Sequence, residues 1–392
     1  MQLRIQKILA FWLLISTVLS FTNPRSEILL CINIALPILF ICFLRQNNSF
    51  IISKKVVAAT LVYFLCMLLG TLFSGYSQAY GMALFLLIFA LYIASQNESF
   101  YMTKSLFKID WFYIILCVFT IYNIYLNVIS GIEDIVFDTI GEKNYTGIMV
   151  YLLFMYSNKK AKILGQIVGI IYAVILSGSR SYLGLIVLFY VVKLFSNHIE
   201  KFVNRFNISV GKIFVIMFII TAILSYIWVY GISAGGYEAY HTSLNDTSNR
   251  MRFVANIKVF DLMLDPQEIW FWGYGDADGI IRGLGIDRGA TYLGIRLVQS
   301  HNVILNLFLR IGILPTIIYY WIECKILNRY WNKDNYAFLI PYMINAIVMH
   351  SLFGGKWLLF LLVILMTPQE PYRFVQVLKK FVKKDNKGEN SR

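Results

Sequence analysis

One arginine lies in a short polar sequence between two apolar stretches of the chain. Arg180 is preceded by Ser-Gly-Ser and followed by another serine. An arginine at such a place is costly unless it is paired or faces water. Its planar guanidinium can bind a phosphate through two parallel hydrogen bonds. We therefore consider two roles for Arg180, a phosphate-binding side chain or an anchor that extends to the membrane surface.

Two further arginines, Arg250 and Arg252, begin a segment in which apolar residues recur every three or four positions. This period predicts an amphipathic helix over about residues 249–264, and a helix N-terminus favours anions. Residues two apart point about 200° away from each other around a helix. Only one of the two arginines is therefore expected to face a binding site. Contact with lipid headgroups is the alternative role for this pair.

His301 and Asn302 begin the next apolar stretch of the chain. Histidine has an ordinary pKa near 6.5, which makes it the usual general base. A lone histidine at this place is more often a polar cap or interface residue than a base, and His241 and His350 are alternatives on the same predicted side of the membrane. Arg310 lies about 13 Å further along the same helix, roughly opposite to His301. We interpret Arg310 as structural or as lining another part of the path.

Asp276 and Asp278 lie two residues apart in the polar segment that precedes His301. Such an acid pair is found at the metal of nucleotide-sugar transferases, but two residues in a loop do not define a metal site. The following Gly279 also comes too early for a calcium loop. We therefore expect neither a metal nor another cofactor.

The chain that must position these side chains is mostly apolar. Of its 392 residues, 58% are hydrophobic and 14% are charged. Soluble proteins have about 25% charged residues, and each helical membrane span needs about 20 apolar residues. The composition excludes a nucleic-acid-binding domain and predicts an all-α polytopic membrane protein of about twelve transmembrane helices. The spans are predicted at about residues 8–21, 28–44, 56–73, 79–94, 111–129, 146–157, 163–177, 181–195, 213–231, 301–322, 336–352 and 357–367.

The distribution of charge predicts the orientation of these spans. Alternate loops and the tail carry 24 basic and 8 acidic residues, a net charge of +16, whereas the remaining residues carry 11 basic and 13 acidic ones, a net charge of −2. Together they give the net charge of +14 of the whole chain. Basic loops stay in the cytoplasm, so both termini are predicted to be cytoplasmic.

One long polar stretch interrupts the apolar chain on the predicted outer side. The predicted organisation is a membrane domain of nine spans over residues 1–231, a large extracytoplasmic loop over 232–300, three more spans over 301–367, and a basic cytoplasmic tail over 368–392. Within the loop, the amphipathic helix is expected to lie along the outer membrane surface. The Trp-Phe-Trp run at 270–272 is expected at the level of the headgroups.

The order of these parts resembles the O-antigen polymerase (Wzy) and O-antigen ligase (WaaL) superfamily. The resemblance is carried by residues 177–315: the Ser-Gly-Ser-Arg turn, then a large outer loop with Asn-Arg-Met-Arg at 249–252, an aromatic run ending in Gly-Tyr-Gly at 273–275, and His-Asn-Val-Ile-Leu at 301–305. Outside that region, it rests on the number and orientation of the spans.

The resemblance implies a fold like that of the membrane-embedded GT-C transferases and a glycosyl transfer that is metal-independent and inverts the anomeric centre. The donor would be a glycan linked to undecaprenyl diphosphate in the cell (inner or plasma) membrane, used on its extracytoplasmic face. His301 would be the general base, and Arg180 with Arg250 or Arg252 would hold the diphosphate. Asn302 would position His301 or a sugar. A chain-length regulator and a flippase would be further partners, and nucleic acid would not.

Several functions fit this pattern. A polymerase transfers the growing glycan to the next lipid-linked unit, whereas a ligase transfers it to lipid A-core. We favour the polymerase because that activity occurs in more types of cell envelope. A flippase or transporter would have short loops on both faces and charges along several spans. A conventional lipid-phosphate-sugar transferase would need an acid in a first outer loop, which here is only residues 22–27.

Overall fold

The computed structural model describes most of the chain up to residue 348. The described residues are 2–22, 27–45, 52–96, 109–130, 143–160, 162–176, 180–232, 247–264, 269–275, 291–292, 295–296, 300 and 302–348. Nearly all of them are helical, so the all-α class predicted from the sequence holds for this part of the chain.

Fourteen α-helices follow one another in the described ranges. They are α1 (Gln2–Thr22), α2 (Glu27–Arg45), α3 (Lys54–Phe73), α4 (Ala79–Gln96), α5 (Trp111–Ser130), α6 (Lys143–Lys160), α7 (Ile163–Ile171), α8 (Arg180–Leu194), α9 (Ser196–Phe206), α10 (Val210–Tyr226), α11 (Thr247–Leu264), α12 (Val303–Ile311), α13 (Ile313–Leu327) and α14 (Tyr336–Val348). The π-helical turns Tyr172–Leu176 and Ile227–Ile232 extend α7 and α10, respectively. The two-residue strands β1 (Thr291–Tyr292) and β2 (Ile295–Arg296) pair antiparallel.

Three helices in the described ranges are long and apolar enough to cross a membrane. They span Lys54–Phe73, Ala79–Gln96 and Val210–Tyr230, and a fourth span results if the bent pair Tyr182–Leu194 and Ser196–Phe206 is one segment. Only 28% of the first and third of these spans is buried in the protein, against 67% of Ala79–Gln96. Apolar surface left outside a protein marks contact with lipid or a partner, so these helices indicate a membrane protein. The total of about twelve spans stays a prediction.

The described residues divide into two compact units. One comprises Met1–Phe100 with Gly184–Leu362, and the other comprises Tyr101–Leu183 with Val363–Arg392. In the first unit, α4 packs between α2 and α13. Tyr63 on α3 donates a hydrogen bond of 2.8 Å to the carbonyl of Gly81 on α4, and its ring stacks on Phe85 at 4.2 Å. These contacts hold α3 against α4, so that the turn between them is fixed.

The second unit is built on α5, α6 and α7. Gly165 and Gly169 on α7 lie directly against Ser157 and Phe154 of α6, where a Cβ atom would overlap those side chains. Small residues of this kind let membrane helices approach closely. At one end of the unit, the Tyr156 hydroxyl lies within 2.8 Å of both Asp110 carboxylate oxygens. This end is held further by Lys162, whose ammonium lies 3.4 Å from the same carboxylate.

The predicted span at 301–322 is broken in the structure. Helix α12 ends before Gly312, which has a φ of +88°, and α13 begins after it. Only glycine adopts such a backbone conformation readily. Residues 313–327 therefore form a separate helix, and the expectation of one continuous helix from His301 is wrong.

Helix α11 forms where the sequence period predicts it but does not lie along a surface. Val254, Ala255, Asn256 and Ile257 are consecutive and all buried, although consecutive residues point to different sides of a helix. The helix packs against α10, the following π-helical turn and α12. The expectation that its apolar face rests on the membrane surface is therefore corrected: α11 belongs to the helical core of the first unit.

Candidate active site

Asn302 caps the N-terminus of α12. Its Oδ1 accepts hydrogen bonds from the backbone N–H groups of Ile304 and Leu305 at 2.9 and 3.1 Å. Helices leave such donors without partners at their first turn, and asparagine is a favoured residue there. Its Nδ2 donates to the Thr221 hydroxyl on α10 at 3.2 Å. Both ends of this amide are thus engaged within the protein, which fits a positioning role better than direct contact with a sugar.

Ser300 continues this set of hydrogen bonds on the other side of position 301. Its hydroxyl donates to Asn256 Oδ1 on α11 at 2.8 Å, and Asn256 Nδ2 donates to the Ser225 hydroxyl on α10 at 3.1 Å. Ser300 Oγ also accepts from the backbone N–H of Asn302 at 3.2 Å. We refer to Thr221, Ser225, Asn256, Ser300 and Asn302 as the asparagine network. It joins three helices through side chains that are all buried.

Asn306 and Arg310 extend the polar contacts along α12. The Asn306 side chain donates to the Ser300 carbonyl at 3.4 Å, and Arg310 Nε donates to Asn306 Oδ1 at 3.0 Å. The Arg310 guanidinium lies 4.4 Å from the ring centre of Tyr80, near the start of α4. A cation over an aromatic face is stabilised electrostatically. Arg310 therefore connects α12 with α4, which agrees with the structural role considered for it.

The four charged or ionisable residues predicted for the site are described to different extents. His301 lies outside the described residues, as do the side chains of Arg180 and Arg250, whose backbones belong to α8 and α11. The side chain of Arg252 is partly buried, and its Nε atom is fully covered. The structure thus describes the surroundings of position 301 through Ser300 and Asn302.

The helical phase of α11 distinguishes its two arginines. Arg252 precedes Asn256 by four residues, which places both on one face of the helix about 6 Å apart along its axis. On an ideal helix, position 250 lies about 200° around the axis from position 252. Because Asn256 binds Ser300, the face of α11 that carries Arg252 is the one directed towards the start of α12.

Residues 269–275, here called the aromatic loop, pair with the break at Gly312. The N–H groups of Tyr274 and Gly275 donate to the carbonyls of Leu309 and Arg310 at 2.6 and 2.8 Å. In the other direction, Ile313 and Leu314 donate to the carbonyls of residues 269 and 270 at 2.7 and 2.9 Å. The loop therefore supplies partners for main-chain groups that the broken helix leaves open.

The three aromatic side chains at 270–272 were expected at the level of the lipid headgroups, but one of them packs inside the protein. Trp270 and Phe271 are 40% and 47% exposed, whereas Trp272 packs against Phe73 and the backbone of Gly70 on α3. Tyr274 contacts Tyr76 in the turn between α3 and α4, with ring centres 6.1 Å apart. The loop is thus fixed both to the α3–α4 turn and to the Gly312 break.

Two buried polar groups beside the aromatic loop have no hydrogen-bond partner among the described residues. Gln78 is 1% exposed, and neither its amide oxygen nor its amide nitrogen is bonded there; the same holds for Trp272 Nε1. Burying such atoms without partners costs free energy. A water molecule or a hydroxyl-bearing ligand next to them would satisfy both a donor and an acceptor.

The sequence interpretation did not identify most of these polar residues. Thr221 and Ser225 are four residues apart in α10, and Asn302, Asn306 and Arg310 recur every four residues in α12. A polar side chain at each turn of an apolar helix marks one polar stripe, and this spacing is the signal that could have found them. Asn256 gives a weaker signal, because it lies in a helix with many polar residues.

Comparisons with protein-family models, with curated proteins and with solved structures found no match to this chain. Among the described residues, no three side chains of His, Cys, Asp or Glu are grouped as metal ligands would be.

Proposed function

We propose that the chain is a membrane-embedded glycosyltransferase that polymerises lipid-linked oligosaccharide repeat units for a capsule, O-antigen or exopolysaccharide. It transfers the growing glycan from undecaprenyl diphosphate to a sugar hydroxyl of the next lipid-linked unit. The proposal takes its reaction and its GT-C-like fold from the resemblance to the polymerase and ligase superfamily. Its support in this chain comes from the candidate site.

The observation that carries the proposal is the hydrogen bond between Ser300 and Asn256. It brings the helix that carries Arg252 to the residue directly before His301, although the two segments are far apart in the sequence. A base and a diphosphate-binding cation have to come close in this reaction, because one acts on the acceptor and the other on the leaving group. The asparagine network is the kind of buried support that such a site needs.

The reaction needs one proton transfer and one charge to be stabilised. The acceptor hydroxyl oxygen attacks the anomeric carbon while His301 takes the hydroxyl proton. The bond between that carbon and the diphosphate oxygen breaks on the opposite face, so the configuration is inverted. The electron pair leaves with the undecaprenyl diphosphate, and the guanidinium groups of Arg252 and Arg180 stabilise its negative charge. Charge stabilisation by arginine replaces a metal in this scheme.

The proposed location is the cell membrane, with the site on the extracytoplasmic face and both termini in the cytoplasm. The support is the charge difference between the two sets of loops. Contacts within the first unit are consistent with this orientation, because they join segments assigned to the same side of the membrane. The aromatic loop contacts the α3–α4 turn, and both are assigned outside. Val210 donates to Asn328, and Trp331 donates to Ile208, all at the end assigned to the cytoplasm.

The test is to incubate the purified protein in nanodiscs with the lipid-linked repeat units of the cells that express it. We expect longer lipid-linked glycans, and we expect His301→Ala to abolish them while the protein stays folded in the membrane. His198→Ala is the matched control, because this exposed imidazole lies on α9, at the opposite predicted face. Products of normal length from the His301 variant would disprove the assignment of the base.

The same incubation separates the alternatives. A ligase uses the same donor, so it would leave repeat units unchanged until lipid A-core is supplied. A flippase would move labelled lipid-linked glycan across the bilayer without forming a glycosidic bond. Either result from the wild-type protein would overturn the polymerase proposal.

A further inference from the structure

The chain bends sharply between α8 and α9. Residues Tyr182–Leu194 and Ser196–Phe206 form an angle of 76°. After α9 the chain turns at Asn207, whose φ is +47°, and enters the apolar helix α10 at Val210. Helix α9 thus connects two apolar helices and runs nearly perpendicular to the one before it.

Two phenylalanines of α9 and Phe195, the residue directly before it, are about half exposed. Phe195, Phe202 and Phe206 are 49%, 56% and 54% exposed, and the rings of Phe202 and Phe206 lie 4.8 Å apart. Val203, on the neighbouring side of the helix, is buried. The helix is therefore attached to the protein along one side and presents an aromatic row beside it.

Basic side chains border this aromatic row. Around an ideal helix, Lys201 and Arg205 lie within about 100° of Phe202, and both are exposed. The Arg205 guanidinium lies 5.6 Å from the ring centre of Phe206. The acidic Glu200 projects from the other side of the helix. An apolar row next to a basic row is typical of helices that lie in a membrane interface.

The composition of α9 excludes a place within the hydrocarbon core. Its eleven residues include Glu200, Lys201 and Arg205, and charged residues in a membrane are expensive unless they are paired or face water. A helix that follows an apolar helix at a steep angle, and precedes another, lies where the two emerge from the bilayer. The exposed phenylalanines then face the acyl boundary, and the basic side chains reach the headgroups.

We propose that α9 is an in-plane helix that binds anionic phospholipid. Lys201 and Arg205 contact the negatively charged headgroups, and Phe195, Phe202 and Phe206 insert beside the acyl chains. Electrostatic attraction to anionic lipids and burial of apolar area both favour this placement. The binding surface does not depend on the proposed transferase activity.

The test is lipid photocrosslinking of the full chain in nanodiscs of phosphatidylcholine with or without phosphatidylglycerol. A benzoylphenylalanine replaces Phe206 in one variant and Asn204, on the side away from the aromatic row, in another. We expect lipid adducts, measured by mass spectrometry, from position 206 and few from position 204. Equal adducts from both positions indicate a helix inside the bilayer, and no adducts from position 206 indicate a helix away from lipid; both results overturn the proposal.

The charge contribution is tested in the same nanodiscs with the double variant Lys201→Gln/Arg205→Gln. We expect the ratio of phosphatidylglycerol to phosphatidylcholine adducts at position 206 to fall by about threefold or more. The control is Lys54→Gln/Lys55→Gln, which removes two exposed charges elsewhere and should leave the ratio unchanged. An unchanged ratio in the Lys201/Arg205 variant would overturn anionic selectivity, and unchanged melting of each variant in detergent shows that the fold is retained.

Discussion

Asn256 and Ser300 are joined by a buried hydrogen bond of 2.8 Å, although 44 residues separate them in the sequence. Through this bond, helix α11 of the large polar segment is attached to the residue that precedes His301. Asn256 also donates to Ser225 on α10, so one side chain connects three parts of the first unit. We expect both the stability and the proposed activity of the protein to depend on this connection.

Replacing Asn256 by leucine should destabilise the protein. The change leaves the hydroxyls of Ser225 and Ser300 without this partner, and an unsatisfied buried polar group costs about 1–3 kcal/mol. The measurement is thermal unfolding in detergent, where we expect a lower midpoint. Asn204→Leu on the exposed side of α9 is the control and should stay within about 0.5 kcal/mol. Equal midpoints for the wild type and the Asn256 variant would show that the network contributes nothing to stability.

Lysine replacements should distinguish the two arginines of α11. Arg252→Lys keeps the charge but removes the planar fork that binds a diphosphate, so we expect kcat/KM for polymerisation to fall about tenfold or more. This corresponds to the loss of one charge-assisted hydrogen bond. Arg250→Lys, on the other face of the helix, should stay within about twofold. The opposite pattern would assign the diphosphate to Arg250 instead.

Arg180→Lys tests whether this residue binds the diphosphate or anchors the membrane segment. An ammonium cannot form the bidentate contact, so we expect a loss of about tenfold or more in kcat/KM, with unchanged amounts of protein in the membrane. Arg4→Lys, at an exposed arginine of α1 at the opposite predicted face, is the matched control. Full activity of the Arg180 variant would leave an anchoring role only.

Gly312→Ala should destabilise the break between α12 and α13. The residue has a φ of +88°, and an added Cβ would lie 2.6 Å from the backbone nitrogen of Trp272. Left-handed backbone strain alone costs about 1–3 kcal/mol. Gly184 in α8 is a control of opposite sign, because a Cβ there meets nothing within 4 Å and alanine gains about 0.5–1 kcal/mol in a helix. A Gly312 variant that melts like the wild type would contradict the geometry of the break.

The predicted orientation is tested by fusion to a phosphatase that is active only when exported. A fusion at Gly279 should be active, because the large loop is assigned outside and its six basic residues are outnumbered by eight acidic ones, unlike the strongly basic loops of the other side. A fusion at Asn332, next to the basic residues Arg329 and Lys333, should be inactive. Activity at the second position without activity at the first would reverse the topology.

The helices themselves could be predicted from the sequence because an apolar run of sufficient length has few other structures available. Ten of the eleven membrane segments predicted to begin before residue 348 correspond to helices in their described residues, and the eleventh, 301–322, is divided at Gly312. The break at Gly312 could not be predicted in this way. Gly312 and Pro315 permit a break at this place, but the groups that stabilise it belong to residues 269–275, far away in the sequence.

The environment of a helix is harder to predict than its existence. The period of α11 indicates an apolar side but not what covers it, and here Val254 and Ile257 pack against Val229 of the π-helical turn after α10. In the candidate site, too, some residues can be recognised from the sequence and others only from their surroundings in the fold. Arginine and histidine stand out in an apolar sequence, whereas Thr221, Ser225 and Asn256 are ordinary residues whose importance depends on a pairing that folding creates.

The main-chain pairing between the aromatic loop and the Gly312 break has a consequence for protein engineering. Under the proposed function, exchanging residues 232–300 for the same segment of another polymerase is a route to altered acceptor preference. Such a graft keeps a peptide carbonyl at positions 269 and 270, but a different backbone path there would move these carbonyls away from the N–H groups of Ile313 and Leu314 that they accept from. The recipient helix would then begin with uncompensated peptide groups in apolar surroundings. A chimaera should therefore keep residues 269–275 and α13 from the same parent.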